Sequence, residues 1–325
     1  MNRPGGRRVL VTGAGGLIGR GLVRALAERP GFEAVVAVDV RPPAATAQQP
    51  GIRYFTLDVC APELRRLVAG EGIDTVVHLA AIVTPPPGCT REMQYAVDVG
   101  GTENVLGACL EGGVRKLIVS SSGAAYGYHF DNPPLLDEND PLRGNPEFAY
   151  SDHKRIVEER LAAARREHPG LAQLIFRLGT VLGETVRNQI TALFEQRIVV
   201  GVAGAATPFN FIWDEDVVDC LRLGIESDRS GIYNLAGDGV MTLREIAAAV
   251  GGRYVALPAP LLAGALTILQ SLGRTQYGPE QVAFLRYRPV MGNERLKSEF
   301  GYRPKVSTRE AFARWLGSRG RARPG

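Results

Sequence analysis

The stretch Arg8-Val9-Leu10-Val11-Thr12-Gly13-Ala14-Gly15-Gly16-Leu17-Ile18-Gly19 decides the fold. An apolar, β-branched run stops at a set of glycines, and an amphipathic segment over 17–28 follows at once: strand, tight turn, helix. Gly13, Gly16 and Gly19 recur every three residues. Glycine at such sites lets the backbone turn sharply, lets a pyrophosphate reach the first amides of the helix, and lets helix and strand pack closely. Twenty residues past Gly19, Asp39 follows Val38 at the end of the second apolar run, where a carboxylate can accept hydrogen bonds from ribose hydroxyls. A carboxylate there repels a 2′-phosphate, so NAD is favoured, while Arg41 keeps NADP open. The plainer alternative, a glycine turn with a surface aspartate, gives no reason for strand, turn, helix and acid to stand in register.

Working outward, β-branched runs at 8–11, 34–38, 53–56, 75–78, 116–120 and 174–176 alternate with helical patterns at 17–28, 63–69, 91–111 and 150–168. Strands and helices alternating in this way make an α/β fold, a doubly wound parallel (Rossmann) sheet covered on both faces. Past about residue 180 the elements shorten, at 211–212, 214–225, 233–235, 243–250 and 308–316. The expected division is a dinucleotide-binding domain over 1–180 and a smaller substrate-binding lobe over 181–325, interleaved with the first. Pro-rich loops are expected at 41–50, 85–88 and 131–146.

The 325 residues carry 45% hydrophobic residues and a net charge of +4, an ordinary balance that does not point to nucleic acid. The basic groups Arg7–Arg8 and Arg319, Arg321, Arg323 read as solvated tails. Cys60, Cys89, Cys109 and Cys220 form no CxxC pair, which argues against a disulfide framework or a metal site and for a reducing cytoplasm. Residues 254–273 hold no charge, but Pro258 and Pro260 interrupt them; they read as a buried or substrate-facing helix over 261–272 and not as a membrane span.

The chemistry is carried by Tyr150-Ser151-Asp152-His153-Lys154, which sets a phenol and an ammonium four apart on one helix face. The chain has ten tyrosines and only four lysines, Lys116, Lys154, Lys297 and Lys305, and random placement would give about 0.1 such pair. A free phenol titrates near pH 10; a neighbouring ammonium stabilises the phenolate and makes it a usable base. Upstream, Ser120-Ser121-Ser122 closes the fifth strand, where ligands of such sheets bind. Taken alone the triplet is either a loop or a hydroxyl that holds a substrate oxygen.

Together these segments resemble the extended short-chain dehydrogenase/reductase family, the NAD-dependent epimerase/dehydratase group. The resemblance spans almost the whole chain and includes Leu57-Asp58-Val59, His78-Leu79-Ala80-Ala81, Gly101-Thr102-Glu103-Asn104-Val105-Leu106, residues 211–217 and Tyr233-Asn234-Leu235. It implies Ser122, Tyr150 and Lys154 as the catalytic set. For the cofactor it implies Gly13, Gly16, Leu17, Ile18, Gly19, Asp39, Asp58, Val59, Leu79, Ala80 and Ala81, together with Tyr150 and Lys154. It also implies a homodimer through 91–111 and 150–168.

Three departures bear on the substrate. Asp98 stands where the family usually has an asparagine that supports the lysine through water. Gly123 and Ala124 stand where dehydratases and decarboxylases carry acids, which disfavours both chemistries. Thr207-Pro208-Phe209-Asn210 lacks the arginine with which sugar-nucleotide epimerases grip a diphosphate, leaving Arg177, Arg286 and Arg288 as alternatives. The leading expectation is reversible hydride transfer at a secondary alcohol of a sugar or sugar-nucleotide-like substrate. The alternatives are a dehydrogenase or reductase of an apolar, steroid- or lipid-like compound, and a cofactor-sensing protein without turnover.

Overall fold

The computed structural model describes residues 6–275 and 278–321. In chain order the first half runs β1 (Arg7–Thr12), α1 (Leu17–Ala27), β2 (Phe32–Asp39), β3 (Ile52–Thr56), α2 (Glu63–Gly70), β4 (Thr75–His78), α3 (Arg91–Tyr95), a π-helical turn (Ala96–Gly100), α4 (Gly101–Glu111), β5 (Lys116–Ser122), α5 (Ala149–Glu167) and β6 (Ala172–Leu178). There follow β7 (Thr180–Leu182), α6 (Gln189–Phe194), β8 (Ile198–Val202), β9 (Pro208–Phe209), β10 (Phe211–Trp213), α7 (Asp214–Glu226), β11 (Gly231–Leu235) and β12 (Met241–Thr242). The chain ends through α8 (Leu243–Ala249), β13 (Arg253–Leu257), α9 (Ala259–Ser271), α10 (Gln281–Arg286), α11 (Glu294–Ser298) and α12 (Thr308–Arg321).

Seven strands form the main sheet in the order β3-β2-β1-β4-β5-β6-β11, and the ladders β1/β2, β2/β3, β1/β4 and β4/β5 are parallel. The order reverses beside β1, the point at which open α/β sheets bind ligands outside the carboxyl ends of their strands. All four residues of β4 and the last four of β1 are buried, as strands covered on both faces require.

The chain forms two compact units. One holds the residues up to Ser122 with His153–Arg177 and Asp214–Tyr233; the other holds Gly123–Asp152, Leu178–Trp213 and the residues from Asn234 onward. In the first unit Leu10, Val36, Val76, Leu117 and Ile175 of the sheet pack with Leu64 and Val68 of α2, Val105 of α4 and Leu161 of α5. The second unit is built on rings: Phe194, Phe209, Phe211, Phe312 and Trp315 are buried together, with Phe209 and Phe211 stacked at 5.8 Å.

Three expectations need correction. The helix expected over 91–111 is broken by the π-helical turn at Ala96–Gly100. Arg7 and Arg8 are no tail: β1 begins at Arg7, and Arg8 donates to the Glu71 carbonyl at 2.6 Å and pairs with Glu33. Likewise Arg319 lies within α12 and pairs with Glu195, whereas Arg323 lies outside the described residues. The uncharged helix expected over 261–272 as buried or substrate-facing is α9, and its burial is the part that does not hold. Leu262 is buried, while Leu261, Ile268 and Leu272 are 59%, 61% and 64% exposed. A segment apolar all round does not encode which side faces inward. Among the described residues no helix is long and apolar enough to cross a membrane.

Candidate active site

The glycine loop fits a phosphate-bearing cofactor. Gly13 holds φ +67°, and a Cβ on it would lie 2.7 Å from the Ala80 amide nitrogen, so only glycine lets this turn press against the end of β4. Gly16 is the N-cap of α1 without a side-chain cap, which leaves the first amides of that helix for a ligand. Asp39 at the end of β2 accepts a hydrogen bond from the Gly15 amide at 2.9 Å on one carboxylate oxygen and from the Arg41 amide at 3.1 Å on the other. The acid is thereby fixed beside the loop. Exposed Asp58 accepts from the Cys60 amide at 2.8 Å, and Val59 is buried. Asn104 of α4 shapes that loop by donating to the carbonyls of Val59 at 2.7 Å and Ala61 at 2.9 Å. Leu79 follows β4 directly, its amide donating to the Thr12 carbonyl at 3.2 Å. Glycine loop, fixed acid and the 58–61 loop are the parts a dinucleotide would need, and they lie in one unit.

Behind the strand ends runs a buried polar chain. The Thr12 hydroxyl and Nδ1 of His78 lie 2.7 Å apart, His78 Nε2 and the Thr102 hydroxyl 3.0 Å apart, and the Thr102 hydroxyl donates to the Asp98 carbonyl at 2.6 Å. Burial, and secondarily the Lys154 charge, pushes the His78 imidazole down to about 3, so it is neutral in the fold. The Asp98 carboxylate accepts from the Ile82 amide at 2.8 Å and from Nδ1 of His153 at 3.2 Å. Lys154, buried, donates to the Ser120 carbonyl at 3.0 Å, which ties α5 to the end of β5. Its ammonium is destabilised by desolvation and favoured in turn by Asp98 and Glu158. Ser121 donates to Glu158 at 2.5 Å, and Glu158 pairs with buried Arg177 at 2.7 Å. Arg177 is therefore structural and not a phosphate ligand.

Tyr150 precedes Lys154 by four residues on α5, and Ser122 is the last residue of β5. The start of α5 is set by Ser151, whose hydroxyl donates to the Ala124 carbonyl at 2.6 Å. In the second unit burial pushes the phenol of Tyr128 up to about 12, while the nearby Arg288 charge acts to lower it. Phe209 and Asn210 are buried, and Asn210 donates to the Met291 carbonyl at 2.9 Å, so neither is open to a ligand. Arg288 lies against the same Phe209. Its guanidinium sits 4.0 Å from the centre of the Phe209 ring and 4.4 Å from that of Phe284, and Nη2 donates to the Thr180 hydroxyl at 3.1 Å. Its Nε and Nη1 are shielded from solvent and have no hydrogen-bond partner. Burial lowers its pKa to about 10. Arg286, by contrast, is exposed and rests on Tyr287. Among the described residues no cluster of three or more His, Cys, Asp or Glu side chains could hold a metal.

A parallel sheet with a glycine loop at its reversal point, an acid closing the second strand and a Tyr-x-x-x-Lys helix defines an extended short-chain dehydrogenase/reductase. The chain belongs to the NAD dependent epimerase/dehydratase family, whose model matches residues 9–236. It is similar to an uncharacterized protein of Mycobacterium tuberculosis, 27% identical over 319 residues, 96% of this chain and 84% of that one. With the UDP-glucose 4-epimerase of Azospirillum brasilense it shares 26% identity over 324 residues, 94% of this chain and 90% of the other. Among solved structures, MoeE5 in complex with UDP-glucuronic acid and NAD superposes with a TM-score of 0.73 at 26% identity, covering 97% of this chain and 100% of that one.

Sequence reading missed the parts that work at one remove. Asn104, Thr102 and His78 lie in motifs quoted for resemblance alone, yet each has a physical task. His153 and Glu158 carried a signal in being polar at positions one and four residues from Lys154, on a helix with a buried side.

Proposed function

We propose that the chain catalyses reversible hydride transfer at a secondary alcohol of a sugar nucleotide, with Tyr150 as proton carrier, Lys154 as the charge that makes its phenolate accessible, and Ser122 as the hydroxyl that holds the substrate oxygen. Bound NAD would supply the hydride acceptor, held by the glycine loop through Gly13, Gly16, Leu17, Ile18 and Gly19, by Asp39, and by Asp58, Val59 and 79–81. Tyr150 takes the proton of the substrate hydroxyl as the carbinol carbon gives up hydride and returns it in the reverse direction.

The observation that carries the substrate class is Arg288. Two of its nitrogens are desolvated without partners, a cost that an anionic ligand accepting from Nε–H and Nη1–H would remove. With the rings of Phe209 and Phe284 against the guanidinium, the edge that carries Nε and Nη1 is where a ligand is placed in this reading. A diphosphate fits that edge, and the arginine absent before the 211–213 strand is supplied from 288. The likeness to a UDP-glucose 4-epimerase supports the same class. The same reading makes the chain a homodimer through 91–111 and 150–168, checked by light scattering. Its four free thiols suit a reducing compartment.

The test uses NAD-loaded protein mixed with UDP-glucose, UDP-galactose and UDP-glucuronic acid, and in parallel with apolar secondary alcohols, while NADH fluorescence is followed. A UDP-sugar should raise the NADH signal, and Tyr150→Phe should lower that rate by about 10²-fold or more while leaving NAD affinity within a few-fold. Response to the apolar alcohols alone refutes the sugar-nucleotide class, and an active Tyr150→Phe refutes the proton carrier.

A further inference from the structure

Thr207 is the one non-glycine among the described residues whose backbone turns left-handed, at φ +48°. A β-branched side chain disfavours that region, and so does the proline that follows, which drives the residue before it toward extended backbone. Thr207 is also fully buried. Backbone held so far from its preferred regions persists only where the surroundings fix it, and such positions gather at ligand clamps.

The surroundings grip Thr207 from two sides. Its carbonyl accepts from the Leu243 amide at 3.1 Å at the start of α8, and the residues after it, Pro208 and Phe209, pair as β9 with Thr242 and Met241 of β12. Its hydroxyl donates to the Leu285 carbonyl at 2.6 Å, in the last turn of α10. In a continuing helix that carbonyl would meet the amide of residue 289, but 289 is proline and has no N–H. Thr207 supplies the donor instead.

One hydrogen bond thus joins the two segments that hold Arg288. Phe209 stands two residues after Thr207, Phe284 adjoins Leu285, and the guanidinium of Arg288 lies 4.0 and 4.4 Å from the centres of these two rings. Glycine at 207 would make the turn without strain but could not make this bond.

We propose that Thr207 is a positioning residue for Arg288: its left-handed turn brings Phe209 to the guanidinium, and its hydroxyl holds the end of α10 so that Phe284 and Arg288 meet at that ring. It touches no ligand in this role; it sets the direction in which the guanidinium edge meets an anionic group. The inference rests on the reading of Arg288 as the cation for a diphosphate, but the hold on Arg288 is measured without a ligand.

Arg288 Nε is shielded from solvent, so the exchange rate of its N–H in ¹⁵N-arginine-labelled, NAD-loaded protein reports that hold, with Arg288→Met identifying the signal. Thr207→Val keeps the shape and removes the donor, Thr207→Gly also relieves the backbone, and Thr207→Ser keeps the hydroxyl. Exchange should speed up by about tenfold in the valine and glycine variants and stay within a few-fold in the serine variant. UDP affinity, read by calorimetric titration, should fall by about tenfold in the same two variants, with NAD affinity unchanged in all three. A purely structural role predicts that binding follows thermal stability; here Thr207→Gly, freed of strain, should melt at least as high as Thr207→Val and still bind UDP weakly. Thr207→Gly decides the matter if Thr207→Val does not fold. Unchanged exchange in either folded variant, a wild type without a protected Arg288 signal, or UDP affinity that Arg288→Met loses and both variants keep, overturns the role. Should exchange speed up as expected while wild type and Arg288→Met bind UDP equally, the hold on Arg288 stands and the diphosphate reading alone fails.

Discussion

His78 sits within the sheet, bonded at both ring nitrogens to threonine hydroxyls at 2.7 and 3.0 Å, and its imidazole is driven from 6.5 down to about 3. In the unfolded chain the same group titrates normally. Because the folded value is depressed, the stability tied to His78 is present in full above pH 6.5 and is lost progressively as pH falls toward 3, where the fold would itself take the proton. Between about pH 7 and about pH 5 the unfolded imidazole becomes almost wholly protonated and the folded one does not, which at 1.36 kcal/mol per unit amounts to about 2 kcal/mol. The perturbation is His78→Gln, which keeps a polar side chain between Thr12 and Thr102 and removes the titration. The assay is urea unfolding of both proteins at the two pH values. The variant starts less stable, but its loss on acidification should be smaller than the wild type's by about 2 kcal/mol. Carboxylate titration contributes alike to both and cancels in the comparison. Equal losses would show that His78 is not buried as a neutral imidazole, and the polar chain from Thr12 to Asp98 would need another protonation pattern.

Asp39→Ser should narrow a preference for NAD over NADP, measured by calorimetric titration; equal or tighter NADP binding by the wild type refutes the assignment and points to Arg41. Arg288→Met should weaken UDP binding by about ten- to a hundredfold through loss of charge-assisted hydrogen bonds, with unchanged NAD affinity, and equal UDP affinity in the variant removes Arg288 from the site. Gly13→Ala should lower NAD affinity and cost about 1–2 kcal/mol of stability, read by the same titration and by urea unfolding, because φ +67° disfavours any Cβ and this one would meet Ala80.

The first half of the fold was legible because its signals are local. Strands covered on both faces are written as β-branched runs, and the expected run at 75–78 is β4 to the residue. The glycine spacing and Asp39 belong to one strand-turn-helix-strand segment, so their register could be counted along the chain. The turn at Ala96–Gly100 could not be. Its residues keep a helical apolar rhythm, and the bonds of Asp98 to Ile82 and His153 that accompany the widening are tertiary contacts. The weak elements β7, β8, β9, β12 and β13 were missed for a related reason: they pair as two-stranded ribbons of two to five residues, too short for alternation to show.

The arginine question shows how a local reading can be correct about residues and still misplace a role. Position 209 holds phenylalanine, and from that alone a diphosphate has no cation at the expected place. In the fold, Phe209 is buried as part of a ring cluster with Phe194 and Phe211, and one of its faces is covered by the guanidinium of Arg288. A cation stacked on a ring in a dry setting gains about 2 kcal/mol, enough to offset part of its desolvation, and its edge nitrogens remain to be satisfied. Phenylalanine at 209 therefore does not remove the cation from this region; it forms the surface on which a cation from another segment rests. What the sequence lacks is the pairing of 209 and 284 with 288, a contact among two short elements and the segment after α10 that no periodicity records. A phosphate group presented to that edge would complete the hydrogen bonds that the fold alone leaves open.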